Sequence, residues 1–303
     1  MNTEDCEKIK GGENYKKVKL VLWLILFANL GVAITKIIVG GLINSSSLSA
    51  DGIHSLSDGM SNVVGLIGIS VASVPTDKDH PYGHKKFEIV ASLFIGAMLL
   101  FLGFKILYTG INRFFSPIEL SISLISLISL ILTIIVNICV TTYERKKGKE
   151  YNSYILISDS IHTKSDILIS IGVLISLLGI KLGLPPIIDS IISIIISLFI
   201  FHASYEIFKE SLGILSDKAV IQEEDIILVV KSFNEVKNIH KIRSRGSMND
   251  MYVDMHIMID PNMNIEESHE LTHKIEEEIK CKICSNCQVI IHVEPYYSME
   301  NAL

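Results

Sequence analysis

Six long apolar stretches fill the first two thirds of the chain, at about 18–40, 46–74, 87–111, 118–142, 153–183 and 186–209. A helix needs about 20 residues to cross a ~30 Å hydrocarbon core, so the pattern predicts six membrane-spanning helices. The fourth stretch, "SISLISLISLILTIIVNICV", is almost uniformly apolar. From about residue 219 the pattern changes. "IQEEDIILVVKSFNEV" reads as an amphipathic helix with acids in its first turn. "IHKIRSR" and "MYVDMHIMID" read as strands, the second with Met251, Val253, Met255, Ile257 and Ile259 on one face. "IEESHELTHKIEEEIK" reads as a second helix and "CQVIIHVEP" as a third strand. The order αββαβ suits a small sheet with helices on one side. The expectation is therefore a tail at 1–16, an all-α six-helix transmembrane domain at 17–216 and an α+β domain at 217–303.

Composition agrees: 49% of residues are hydrophobic and the mean hydropathy is +0.44. That is too apolar for an ordinary soluble domain. The net charge of -6 hides a segregation, with most acids after residue 216 and Lys in the earlier connections. Nothing in it supports nucleic-acid binding. Lys8, Lys10, Lys16, Lys17 and Lys19 precede the first stretch; Lys78, Lys85 and Lys86 follow the second; Arg145, Lys146, Lys147 and Lys149 follow the fourth. The alternate connections carry only Arg113 and Lys181, so the positive-inside rule puts both termini in the cytoplasm. The N-terminal segment is too long and too acidic for a secretory leader, and the first stretch reads as a retained span. Cys6, Cys139, Cys281, Cys284 and Cys287 do not form a disulfide framework. The last three, spaced C-x-x-C-x-x-C, suit soft thiolate coordination or are reduced loop cysteines.

Two octapeptides interrupt the apolar pattern: "DGIHSLSD" from Asp51 in the second stretch and "DSIHTKSD" from Asp159 in the fifth. Ionisable residues inside a span mark function by default. Positions i, i+3 and i+7 share one helix face, so each Asp-His-Asp set projects together. Both His-Asp pairs lie ~15 Å deep, near the midplane, on antiparallel helices. His54, Asp58, His162 and Asp166 then make a four-coordinate nitrogen and oxygen set suited to tetrahedral Zn²⁺. Asp51 and Asp159, one turn earlier, are placed to orient the imidazoles. One such pair alone would be read as an interhelical hydrogen bond; two at matching depth argue for an ion site. A phosphate-binding G-x-x-x-x-G-K-[ST] loop is absent, which argues against a primary pump. The apolar stretches carry no H-E-x-x-H, and four protein ligands leave no open position for intramembrane metalloenzyme chemistry.

With "SADGIHSLSDGMSN", "ISDSIHTKSDILIS" and "DKDHPYGHKKFE", the chain resembles the cation diffusion facilitator family of divalent-metal transporters, from about residue 16 to 296. The resemblance implies six spans, a cytoplasmic ferredoxin-like domain, a homodimer, and metal efflux by proton antiport rather than enzymatic catalysis. It assigns transport to His54, Asp58, His162 and Asp166, in the combination found in the zinc-preferring branch. Mn²⁺, Fe²⁺, Co²⁺, Ni²⁺ and Cd²⁺ stay open as substrates. Asp77, His80 and His84 match a second metal site, which a turn at Pro81–Gly83 would converge. Lys86 and Asp217 match a pair that ties membrane part to tail. His240, His256, His269, His292 and Glu294 match positions that bind a zinc pair bridging two tails, with Glu294 where related chains have Asp. The implied partners are divalent metal ions, protons, the bilayer and a second copy, with Zn²⁺ as substrate and regulatory ligand. A prokaryotic plasma membrane is the expected location. The rival reading is a metal receptor whose membrane part only anchors the tail.

Overall fold

The computed structural model describes residues 11–42, 46–115, 124–185 and 187–297, without the side chains of 11–13, 46–48, 50, 51, 54, 57, 58 and 124–126. Two compact units divide it, one of Tyr15–Ser211 and one built on residues 212–297. The first consists of α1 (Gly11–Leu42), α2 (Ser46–Ala72), α3 (Lys86–Phe115), α4 (Leu124–Tyr151), α5 (Tyr154–Lys181) and α6 (Ile187–Leu215). Among the described residues, five of these are long and apolar enough to cross a membrane. In α2 the described apolar portion is Gly59–Ala72. Side chains such as Phe27, Phe101, Leu132 and Phe199 are exposed on the helix surfaces, which suits a hydrocarbon environment.

One boundary departs from expectation. α4 does not stop near residue 142 but runs to Tyr151, so Arg145, Lys146, Lys147 and Lys149 sit on its last turns. Long basic side chains can leave a helix end for water without unwinding it. The connection to α5 shrinks to Asn152, at φ 50°, and Ser153. There Glu88 of α3 accepts a 2.7 Å hydrogen bond from the Ser153 hydroxyl, so α3 caps the start of α5.

Small residues let α2 approach its neighbours. A Cβ on Gly68 would lie 2.2 Å from the Ala91 Cβ on α3, and one on Gly65 would lie 2.9 Å from Ile155 Cγ2 on α5. Around these contacts Leu22, Ile69, Ile95, Ile155 and Leu156 form a buried cluster.

The second unit contains α7 (Glu223–Val230), β1 (Asn238–Ser247), β2 (Asp250–Ile259), α8 (Ile265–Lys282) and β3 (Cys287–Pro295). This is the αββαβ order. β2 is central, antiparallel to β1 and parallel to β3. Met251, Val253, Met255, Ile257 and Ile259 are buried in a core with Leu271, Ile275 and Ile279 of α8. α7 is shorter than its hydropathy suggested, because the amides of Ser232 and Phe233 bond three residues back and close a turn. α8 begins with a capping box of Asn264 and Glu267. Cys284 and Cys287 lie in the core, where burial pushes the Cys287 thiol up to about 11. A neutral core thiol packs as a small apolar group, as Cys284 and Cys287 do here.

Candidate metal sites

α2 and α5 run antiparallel in the first unit, and two contacts fix their register. Gly65 meets Ile155, and the Asn62 amide donates to Asp159 Oδ2. Stepping back one turn from Asn62 reaches Asp58, as one turn forward from Asp159 reaches His162. A second turn reaches His54 and Asp166. The four sequence-predicted positions thus stand level on two packed helices; the side chains of Asp51, His54 and Asp58 lie outside the described residues.

On α5 the geometry is explicit. His162 is 5% exposed, and neither ring nitrogen has a hydrogen-bond partner among the described residues. It lines a cavity of about 210 Å³ with Asp166, and with Ser55 of α2, Asn137 of α4 and Asn29 and Lys36 of α1. Lys36 is buried and donates to the Ser55 hydroxyl at 2.9 Å. Asp159 does not orient His162 as expected. The Cα–Cβ bond of a helical residue tilts toward the helix N-terminus, so Asp159 points away from His162 and meets Asn62 instead.

The α2–α3 connection converges Asp77, His80 and His84, whose ligand atoms lie within 4.8 Å of one another. Asp77 Oδ1 accepts from the backbone amides of His80 at 2.7 Å and Asp79 at 3.0 Å, which folds the turn. The His80 amide, with the nearby His84, holds the Asp77 carboxyl below its usual range. Gly83 takes φ 86° and its amide bonds to the His80 carbonyl at 2.9 Å. The Pro75 carbonyl, 3.1 Å from His84 Nδ1, can only accept, so that nitrogen carries the proton. His84 Nε2 is then left to bind, 3.4 Å from Asp77 Oδ2.

In the second unit His240, His256 and His292 stand side by side, paired in register across all three strands on the face away from the core. Glu294 gathers them: His256 Nδ1 donates to Oε1 at 2.7 Å, and His240 Nε2 to Oε2 at 3.2 Å. His292 Nε2 is 3.8 Å away. The His256 bond is the main cause that holds the Glu294 carboxyl below its usual value. Strand alternation alone would put His240 on the core side with Ile242. A bulge between His240 and Arg243, with Lys241 at φ 52°, inserts one residue and turns His240 to the outer face. His269 does not join this group within one chain. It lies exposed on α8, which covers the opposite sheet face, with its Nε2 3.2 Å from that of His273. Asp217 stands 3.8 Å from Arg245 in the second unit, whereas Lys86 opens α3 in the first.

Comparison with known proteins bears on this arrangement. Residues 22–216 match the cation efflux transmembrane domain, and 220–296 match the cation efflux protein cytoplasmic domain. The chain belongs to the cation efflux family. As a member of that family it is an integral membrane cation transporter, and neither unit needs a catalytic reading. An uncharacterised transporter of Methanocaldococcus jannaschii is 32% identical, over 88% of this chain and 94% of its own length. The manganese efflux system protein MneP of Bacillus subtilis is 30% identical over 93% of this chain and 96% of its own. A cadmium, cobalt and zinc/H(+)-K(+) antiporter of the same organism is 28% identical over 95% and 92%. Among solved structures, the metal-bound C-terminal domain of the CzcD transporter from Thermotoga maritima is 35% identical, covering 25% of this chain and 88% of its own, with a TM-score of 0.23.

Proposed function

We propose that this cation efflux protein is a homodimeric exporter of divalent metal ions, Zn²⁺ foremost, that moves them out of the cytoplasm in exchange for protons. The observation that carries the reading is His162: buried, without a hydrogen-bond partner at either nitrogen among the described residues, and on a cavity wall with Asp166, the two of them level with Asp58 and His54. Two imidazoles and two carboxylates bind Zn²⁺ when the imidazoles are neutral and the acids ionised. Loading the site therefore releases protons, and returning protons expel the metal. The related antiporter of cadmium, cobalt and zinc supports this exchange. The manganese relative favours a second reading, Mn²⁺ export, but two nitrogen donors among four suit Zn²⁺ better than the harder Mn²⁺.

The remaining clusters serve regulation. Asp77, His80 and His84 take cytoplasmic metal at the mouth of the spans. His240, His256, His292 and Glu294 take it in the tail, with His269 supplied by the second copy, so that metal tightens the dimer. Both termini face the cytoplasm of a prokaryotic cell. Replacing Asp58 or Asp166 with Ala should abolish pH-driven zinc uptake into proteoliposomes; uptake at the wild-type rate would overturn the assignment.

A further inference from the structure

Two carboxyl groups with no part in metal ligation are buried between the α5 ligands and the α4–α5 turn. Glu144 of α4 and Asp159 of α5 are both 0% exposed. At 1.5 Å per residue they lie about 8–10 Å from the turn, and Asp166 about 18 Å. The two carboxyls face each other across the helix pair.

The hydrogen bonds around them are short of hydrogens. Asn62 donates to Asp159 Oδ2, and Asn29 donates to the Asn62 side-chain oxygen Oδ1 at 3.1 Å. The Thr163 hydroxyl reaches Glu144 Oε2 at 3.4 Å but also the Asp159 carbonyl at 3.1 Å, and it has one hydrogen for both. Glu144 Oε1 and Asp159 Oδ1 have no hydrogen-bond partner among the described residues. The nearest charges on Glu144 are Asp159 and Asp166, both acids. α1 and α2 bring the neutral Asn29 and Asn62, α5 also brings His162, and Lys164 and Arg145 are exposed. Asp58 on α2 lies one turn beyond Asn62. Two carboxylates side by side away from water cannot both stay ionised. One hydrogen shared between the two carboxyls would join them and remove one charge.

We propose that Glu144 and Asp159 hold one shared proton and form the station through which the exchanged proton leaves the metal site. This rests on the antiport reading. Thr163 borders both the pair and the cavity of His162 and Asp166, so the station adjoins the site. A proton given up at the metal ligands joins the pair as the held proton departs toward the α4–α5 turn. The pair returns to a net charge of one negative, and no other species is consumed.

The test is infrared difference spectroscopy of the full chain in lipid nanodiscs at neutral pH, with E144Q and D159N beside wild type. The account expects a carbonyl stretch of a protonated carboxylic acid in wild type, lost in either single variant, because each amide donates to the remaining carboxylate. Both variants should keep zinc stoichiometry and elution profile while zinc flux loses its dependence on pH. A wild type without that band, or a band that survives in both variants, overturns the station. Wild-type protein that moves zinc and no protons overturns the antiport reading, a separate outcome from coupled flux persisting in E144Q and D159N, which sinks the station alone.

Discussion

His162 and Glu294 represent two ways of holding a metal-binding group. His162 is buried with no hydrogen-bond partner among the described residues, so binding there would not first break a bond to one of them. Glu294 is pre-bonded to the imidazoles it shares a site with, which orients them. Its folded pKa is depressed, so the ionised carboxylate stabilises the tail above its ordinary pKa. That contribution is lost as pH falls through the lower folded value. E294Q should therefore melt below wild type in metal-free protein near neutral pH, and the gap should close in acid; an equal gap at both pH values would contradict the pairing. The candidate positions were legible because His-Asp pairs at helical spacing stand out against apolar sequence. Glu144 was not. It sits among bases at the end of an apolar run, and its partner lies across a turn in the next helix.

At the scale of elements, boundaries were harder to read than types. All six long helices and all three strands follow from apolar spacing, but α4 continues through a run of bases that hydropathy scores as loop. The β1 bulge was hidden for a different reason: alternation holds on either side of it, and only the pairing with β2 shows the extra residue. Helix approach likewise depends on partners. At Gly68 an added Cβ must displace Ala91, while at Gly31 it meets nothing within 4 Å. Gly68→Ala should destabilise the membrane unit by about 1–3 kcal/mol, as overpacking does. Gly31→Ala should be neutral or better, since Ala favours a helix by up to about 1 kcal/mol. Thermal inactivation in detergent compares the two, and equal losses would contradict the close contact of α2 with α3.

For the whole molecule, the described residues bring together two groups of His and acid residues, a loop set and a sheet-face set, and a third is proposed at the midplane. Family membership accounts for cation transport; the choice of metal and the exchange for protons are what we propose from the donor chemistry. The sheet-face set carries two imidazoles bonded to one carboxylate, while His269 lies exposed on the helix that covers the other side of the sheet. The central claim is proton-coupled zinc export through the midplane set. The direct measurement is zinc flux into proteoliposomes with and without an imposed pH gradient, for wild type and His54→Asp. The account predicts gradient-dependent zinc flux in wild type and, in the variant, flux broadened toward harder ions such as Mn²⁺. Zinc binding with no flux under any gradient would contradict it and leave a metal receptor in its place.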